Sequence, residues 1–378
     1  MVLPSGWYPY PSPVPALSTP VQGFMKLLDR YIFRAVATTT LVALLALVLL
    51  ELFLSLLVEL EDVGKGNYHF MAAMRYLLLI QPQRIYELFP MALLVGALLG
   101  MGMLASGSEL IVMRAAGLSL TRLTRSVLQA GLLLSLAVIL IGEFVAPPLE
   151  QFAREQRAVA QGEDLAIRGG RGFWARDGER FIHVQGVLPG VRLTNIHVFH
   201  IGADARLQTV THAQGARYQS GRWLLEGVDR SILDGDTVLT EHLNSLAFVS
   251  AISPQILEVL AADPSKLSIQ DLQIYVDYLE DNGLDAQNYW LALWRKLLAP
   301  LTYLAMLVIA MPFIFGPQRS AGTGQRLLLG LLLGLLFFLL DYLLGNVVLL
   351  YGYPPLVGAI LPSLLFLSAG LYTLHRLR

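Results

Sequence analysis

A chain of 378 residues that is 55% hydrophobic and only 15% charged, with a mean hydropathy of +0.58, belongs with integral membrane proteins rather than soluble domains. A formal net charge of −1 gives no reason to expect nucleic-acid binding, and the absence of cysteine excludes structural disulfides and thiolate metal sites.

Residues 1–24 are rich in Pro, Ser and Tyr and lack both a charged n-region and an apolar h-region, so they read as a disordered, dispensable extension rather than a signal peptide. A second methionine, Met25, opens the functional chain. Six apolar runs, at 35–58, 85–106, 126–147, 297–316, 327–350 and 355–375, are long enough to cross about 30 Å of hydrocarbon. Lys26, Arg30, Arg34, Arg114, Arg122, Arg125, Arg319, Arg326, Arg376 and Arg378 flank them on one side, against Lys65, Arg75 and Arg84 on the other. The excess of Lys and Arg marks the cytoplasmic side, which places both termini there and the long central polar stretch outside. The expected division is 1–24, 25–149 with three spans, a β domain over 150–265, and 266–378 with an interfacial helix and three spans.

The segment from Pro90 to Gly117 carries the strongest functional signal. Gly96 and Gly100 are four apart, which lets a neighbouring helix approach the backbone. After Ser106-Gly107-Ser108, the stretch 109–117 (ELIVMRAAG) reads as two helical turns with a Ser start at Ser108, Glu109 in the first turn and a Gly stop at Gly117. A short amphipathic helix delivered to the cytoplasmic face suits the coupling of a membrane permease to an ATPase. From the residues alone, Glu109 serves equally as a helix cap or as a contact to a partner, and Arg114 equally as a lipid-phosphate or a partner contact.

Glu51, Ser55 and Glu59 fall at i, i+4 and i+8 in the first span. A carboxylate such as Glu51 costs several kcal/mol in hydrocarbon unless protonated or paired, and a cation from another subunit is expected, with a proton pathway as the alternative. Asp341 in the fifth span, with Asn346 beyond it, reads as an inter-helix hydrogen-bonding residue. Arg154 and Arg157, just outside the third span, present two guanidinium forks at i, i+3; an ordinary interfacial pair beside Glu150 and Glu155 is the alternative. In the outer domain, strand-like runs such as 173–176, 180–184, 195–201 and 222–225 alternate with the turns Asp177-Gly178, Ser220-Gly221 and Asp234-Gly235, which predicts an antiparallel sandwich or jelly roll. His197 and His200 are three apart on a strand and so face opposite sides, which predicts no metal site. Ser268 with Asp271 forms a capping box for a helix whose apolar stripe is Leu272, Tyr275, Val276 and Leu279. No GxxxxGK[ST], HExxH, GxSxG or SxxK motif occurs, so the chain itself should hydrolyse neither ATP nor esters nor peptides.

The pieces LDRYI (28–32), GALLGMGMLASGSELIVMRAAG (96–117), GEFVAPPLEQFAR (142–154), GFWARDGERF (172–181) and YGYPPLVGAILPS (351–363) resemble the LptF/LptG permeases, and the resemblance extends over nearly the whole chain from Met25. It implies six transmembrane helices with an inserted periplasmic β-jellyroll-like domain in the inner membrane of a Gram-negative bacterium. It further implies an assembly of LptF, LptG, an LptB ATPase dimer and the single-span LptC that extracts lipopolysaccharide and passes it to the periplasmic bridge. The permease would be non-catalytic and hold no cofactor, ATP and Mg being bound by LptB. Glu109, with Ser108, Arg114 and Gly117, would couple to the ATPase. Arg154 and Arg157, with Lys65, would belong to a cationic rim for lipid phosphates. The chain departs from its relatives where Ser55, Glu61 and Asp62 stand in place of lysines. Two rival classes are an ion-coupled secondary lipid transporter, since three spans on each side could form an inverted repeat, and a membrane-anchored periplasmic domain, which would not need so many spans.

Overall fold

The computed structural model describes residues 21–161, 172–188, 192–202, 204–219, 221–235, 237–250, 252–254, 256–257, 263–315 and 322–376. Most of the 1–24 extension, with Arg319, Ser220 and Arg378, lies outside these. The helices before the sheet are α1 (Val21–Glu59), α2 (Phe70–Leu79), α3 (Gln81–Ser106), α4 (Glu109–Ala115), α5 (Leu120–Leu140) and α6 (Ala146–Gln161). Those after it are α7 (Ile269–Asp281), α8 (Gln287–Leu297), α9 (Ala299–Phe315), α10 (Thr323–Tyr351) and α11 (Pro355–Arg376).

Among the described residues, five stretches are long and apolar enough to cross a membrane, and α8 with α9, bent by 55°, makes a sixth if the pair is counted as one span. The central helix α3 is the hub. Its apolar window is 72% buried inside the chain, against 17% for that of α1, so α1 leaves most of its surface to lipid or to partners. The reason lies in its glycines. A Cβ on Gly96 would stand 2.6 Å from the backbone nitrogen of Thr40, and one on Gly100 would stand 2.8 Å from the carbonyl oxygen of Ala35. The two helices thus touch backbone to backbone, and Thr39 Oγ1 donates to Gly96 O at 2.7 Å.

The third span does not stop at 147. It passes through a π turn at Ile141–Val145 into α6 and stays helical to Gln161. Pro147 and Pro148 remove two N–H donors from the ladder, and the wide turn just before them accommodates the break. The 150–161 stretch is therefore helix, and the sheet begins at Phe173.

The inserted β domain is one six-stranded antiparallel sheet in sequence order: β1 (Phe173–Asp177), β2 (Arg180–Leu188), β3 (Arg192–Ile201), β4 (Leu207–Gln219), β5 (Arg222–Asp234) and β6 (Thr237–Phe248). The turn at Gly178 requires a φ of +61°, which glycine adopts without strain. One face carries Ile182, Val184, Ile196, Val198, Ala213 and Val228 into a core shared with Leu272, Tyr275, Val276 and Leu279 of α7. Ser268 caps α7, its Oγ accepting from the Asp271 N–H at 3.0 Å. Tyr278 Oη donates to Arg176 O at 2.8 Å and fixes α7 to β1.

The opposite face holds a row that no local sequence pattern reveals. Register aligns Trp174, His183, His197, His212, Asp229 and His242 across all six strands. The rings of His197 and His212 lie 4.6 Å apart, and those of Trp174 and His183 lie 4.8 Å apart. Burial, together with the imidazoles of His212 and His183, pushes His197 below the usual histidine value of 6.5. The unfolded chain therefore binds this proton more readily than the folded one. The contribution of His197 is fully favourable above that value and declines as pH falls below it, levelling off once the folded pKa is passed. We predict that the domain melts at lower temperature at pH 5.5 than at pH 7.5 and that His197→Gln narrows the gap; an equal gap in the variant would contradict this assignment.

Candidate functional site

Helix α3 empties into the α4 hairpin. Ser106 and Gly107 end α3, and Ser108 then takes a left-handed φ of +61°. Ser108 stands at the start of α4, and its side chain makes no capping hydrogen bond: in the left-handed region its Oγ does not reach the N–H groups that an extended N-cap residue would meet. The capping serine of this hairpin is Ser119, whose Oγ accepts from the Arg122 N–H at the start of α5. Gly117 turns the chain with a φ of +90° and open space around it.

Leu110 and Met113 of α4 are buried against the bundle, whereas Ile111, Val112 and Arg114 face outward. Glu109 accepts a 2.7 Å hydrogen bond from Tyr31 Oη of α1. Leu110 and Met113 seat the hairpin against the bundle beside α3, the Tyr31 hydrogen bond ties it to α1, and the outer face combines two apolar side chains with a carboxylate and a guanidinium. That composition fits a protein partner better than lipid or water alone.

At the other end of the bundle, Arg154 and Arg157 are brought close to each other but not onto a common open site. Arg154 Nη2 pairs with Glu150 at 3.1 Å, and the same carboxylate oxygen receives Lys266 Nζ at 2.8 Å. Arg157 Nε lies 2.6 Å from Glu59, an ion pair rather than an aligned hydrogen bond, and its other arm meets Asp62. Lys65 also pairs with Asp62, and Tyr68 Oη donates to Glu59 at 2.8 Å. Asp62 thus neutralises both Lys65 and Arg157 within the same chain. Glu59, only 8% exposed at its side chain, is the member of this cluster whose part the sequence does not disclose, because its ion-pair partner Arg157 lies in a distant helix.

The expectation of a cation from another subunit for Glu51 is corrected. Arg84 Nε lies 2.8 Å from Glu51, and Ser55 Oγ donates to the same carboxylate at 2.6 Å. Helix α3 starts at Gln81, before its apolar run, so its first turn carries Arg84 alongside α1. Asp341 meets Arg295 at 2.9 Å, between α10 and α8. Asn346 instead donates to Tyr342 O in its own helix. A further joint unites the membrane helices with the helix that packs on the sheet: at the π turn, Glu143 accepts from the Ile269 N–H of α7 at 2.7 Å and pairs with the buried Lys296 of α8 at 3.3 Å.

The sequence model of the family described as lipopolysaccharide export system permease LptF/LptG matches residues 30–376. The chain is 38% identical over 352 residues to the lipopolysaccharide export system permease protein LptG of Escherichia coli K12, an overlap of 92% of this chain and 98% of that protein. It is 34% identical over 355 residues to the LptG protein of Haemophilus influenzae, covering 93% and 99% respectively. With a match that spans both helical halves, the sheet and the α4 hairpin, the chain belongs to the LptF/LptG family of lipopolysaccharide export system permeases.

Proposed function

We propose that this chain is the transmembrane permease subunit of an ATP-driven exporter that extracts lipopolysaccharide from the inner membrane and passes it towards the outer membrane. It works as a heterodimer with LptF, on an LptB ATPase dimer and beside LptC. The observation that supports this most is the α4 hairpin, a short helix clamped to α1 and α3 whose outer face is open for a partner. Having no phosphate loop of its own, the chain takes its power stroke from the partner's ATP and Mg. The ion-coupled carrier has no support in this family.

In this reading the hairpin lies on the cytoplasmic side and the sheet in the periplasm, with both termini cytoplasmic. A push on α4 moves α3, and the backbone contact at Gly96 and Gly100 carries α1 with it as one body. The Glu143 joint passes the movement to α7 and so to the sheet. Arg154, Arg157 and Lys65 supply the cationic side of the lipid rim by exchanging their in-chain carboxylates for lipid phosphates, the acidic partners holding the guanidinium groups in place until cargo arrives.

Glu109→Lys places a cation where the partner is expected to present one. Like charges facing each other across an interface cost several kcal/mol, so recovery of the ATPase with the purified permease should fall by more than about tenfold. Tyr31→Phe, which removes only the hydrogen bond inside the chain, should recover the ATPase almost normally. Equal recovery with Glu109→Lys and the parent chain would refute the coupling role.

A further inference from the structure

Between α1 and α5, near the α4 hairpin, lies a cavity of 480 Å³ lined by Asp29, Thr121, Arg122, Arg125, Ser126 and Gln129. Asp29 accepts from Ser126 Oγ at 2.6 Å and lies 3.9 Å from Arg122, so that it orients one guanidinium towards the cavity. Arg125, one turn further on, is exposed and has no ion-pair partner among the described residues. The cavity therefore carries two cations against one carboxylate, with hydroxyl and amide groups around them. Along α5 the same stripe continues as Gln129, Leu132, Leu133, Leu136 and Leu140, and these four leucines are 46 to 60% exposed. A polar, cationic pocket at the water end of an exposed apolar stripe has the shape and charge of a phospholipid: forks for a phosphate, then a wall for acyl chains.

We propose that this cavity is a headgroup site for a membrane glycerophospholipid of the leaflet on the α4 side. Arg122 and Arg125 hold the phosphodiester, the hydroxyl and amide groups of Thr121 and Gln129 meet the remainder of the headgroup, and the chains lie along the leucines of α5. Asp29 sits where an ethanolamine ammonium or a glycerol hydroxyl would reach it. The site is separate from the cationic rim at the opposite end of the bundle and does not depend on what the protein exports. Its place beside the hairpin means that a bound lipid would fill the space between α1 and α5 that the hairpin moves against.

The test is native mass spectrometry of the full chain, purified with its partners, stripped of lipid and then offered phosphatidylglycerol, phosphatidylethanolamine or diacylglycerol. The parent protein should retain one phospholipid and not diacylglycerol, which has the chains without the phosphate. Arg125→Gln, a change at an exposed side chain with no ion-pair partner among the described residues, should weaken retention about tenfold, and Arg125→Lys should restore part of it. Arg122→Gln combined with Arg125→Gln should abolish retention. Equal retention by Arg125→Gln and the parent, or equal retention of diacylglycerol, would overturn the proposal. Displacement of the phospholipid by millimolar inorganic phosphate would also overturn it, in favour of a free-phosphate site. Unchanged lipid retention with a loss of ATPase partner in Arg125→Gln would assign the cavity to a protein contact instead.

Discussion

Replacing Gly96 with valine should leave little correctly assembled protein. A Cβ at this position would stand 2.6 Å from the backbone nitrogen of Thr40, and a backbone atom cannot rotate away as a side chain can. The helices must separate along their whole contact, breaking the hydrogen bond from Thr39 Oγ1 to Gly96 O. Overpacking a tight interior costs about 1–3 kcal/mol even where side chains can yield, and loss of the hydrogen bond adds about 0.5–1.5 kcal/mol. A total above about 3 kcal/mol reduces the folded to unfolded ratio more than a hundredfold. Gly330→Ala provides the contrast, because the nearest atoms there, Val95 Cγ2 at 3.0 Å and Leu98 Cδ1 at 3.1 Å, belong to side chains rather than to backbone. Thermal melting of the purified chain in detergent should show a large drop for Gly96→Val and a small one for Gly330→Ala. Similar melting of both variants would mean that the α1 and α3 backbones are not in the contact described.

The second large effect is expected at the joint between the membrane helices and the sheet. Lys296 has a side chain only 7% exposed and Glu143 one that is 18% exposed, with the Tyr86 ring 5.8 Å from the ammonium. Lys296→Met leaves the Glu143 carboxylate without its cation in a place water reaches poorly, and breaking one side of such a pair costs about 3–5 kcal/mol. Changing both, Lys296→Met with Glu143→Gln, removes the stranded charge while the glutamine oxygen still accepts from the Ile269 N–H. The double variant should therefore be more stable than Lys296→Met alone, and hydrogen exchange at the start of α7 should be fast in the single variant and slow in the double one. Additive losses across the two substitutions would show that the residues do not act as a pair.

The spans were legible because hydrocarbon demands about 20 apolar residues in a row, and the strands because Asp177-Gly178 and Asp234-Gly235 punctuate alternating runs. The α4 hairpin was legible from Ser106 through Gly117 for the same local reason: glycine and serine interrupt a helix that then resumes in amphipathic form. What lay hidden depends on pairs far apart in the chain. Arg157 and Asp62 are separated by 95 residues, so spacing alone could suggest two open forks but could not show the carboxylates already occupying them. The imidazole row required the register of every strand pair. The partner of Glu51 was missed because α3 begins with a polar turn, outside the apolar run that announced the helix.

The most direct measurement is lipopolysaccharide release from proteoliposomes that contain the full chain with LptF, LptB and LptC. The parent assembly should release the lipid to a periplasmic acceptor when ATP is supplied, and should not do so with an ion gradient alone. Glu109→Lys should abolish ATP-driven release while the chain remains inserted. Release driven by an ion gradient without ATP, or unimpaired ATP-driven release by Glu109→Lys, would contradict the assignment of this chain as a permease moved through its α4 hairpin.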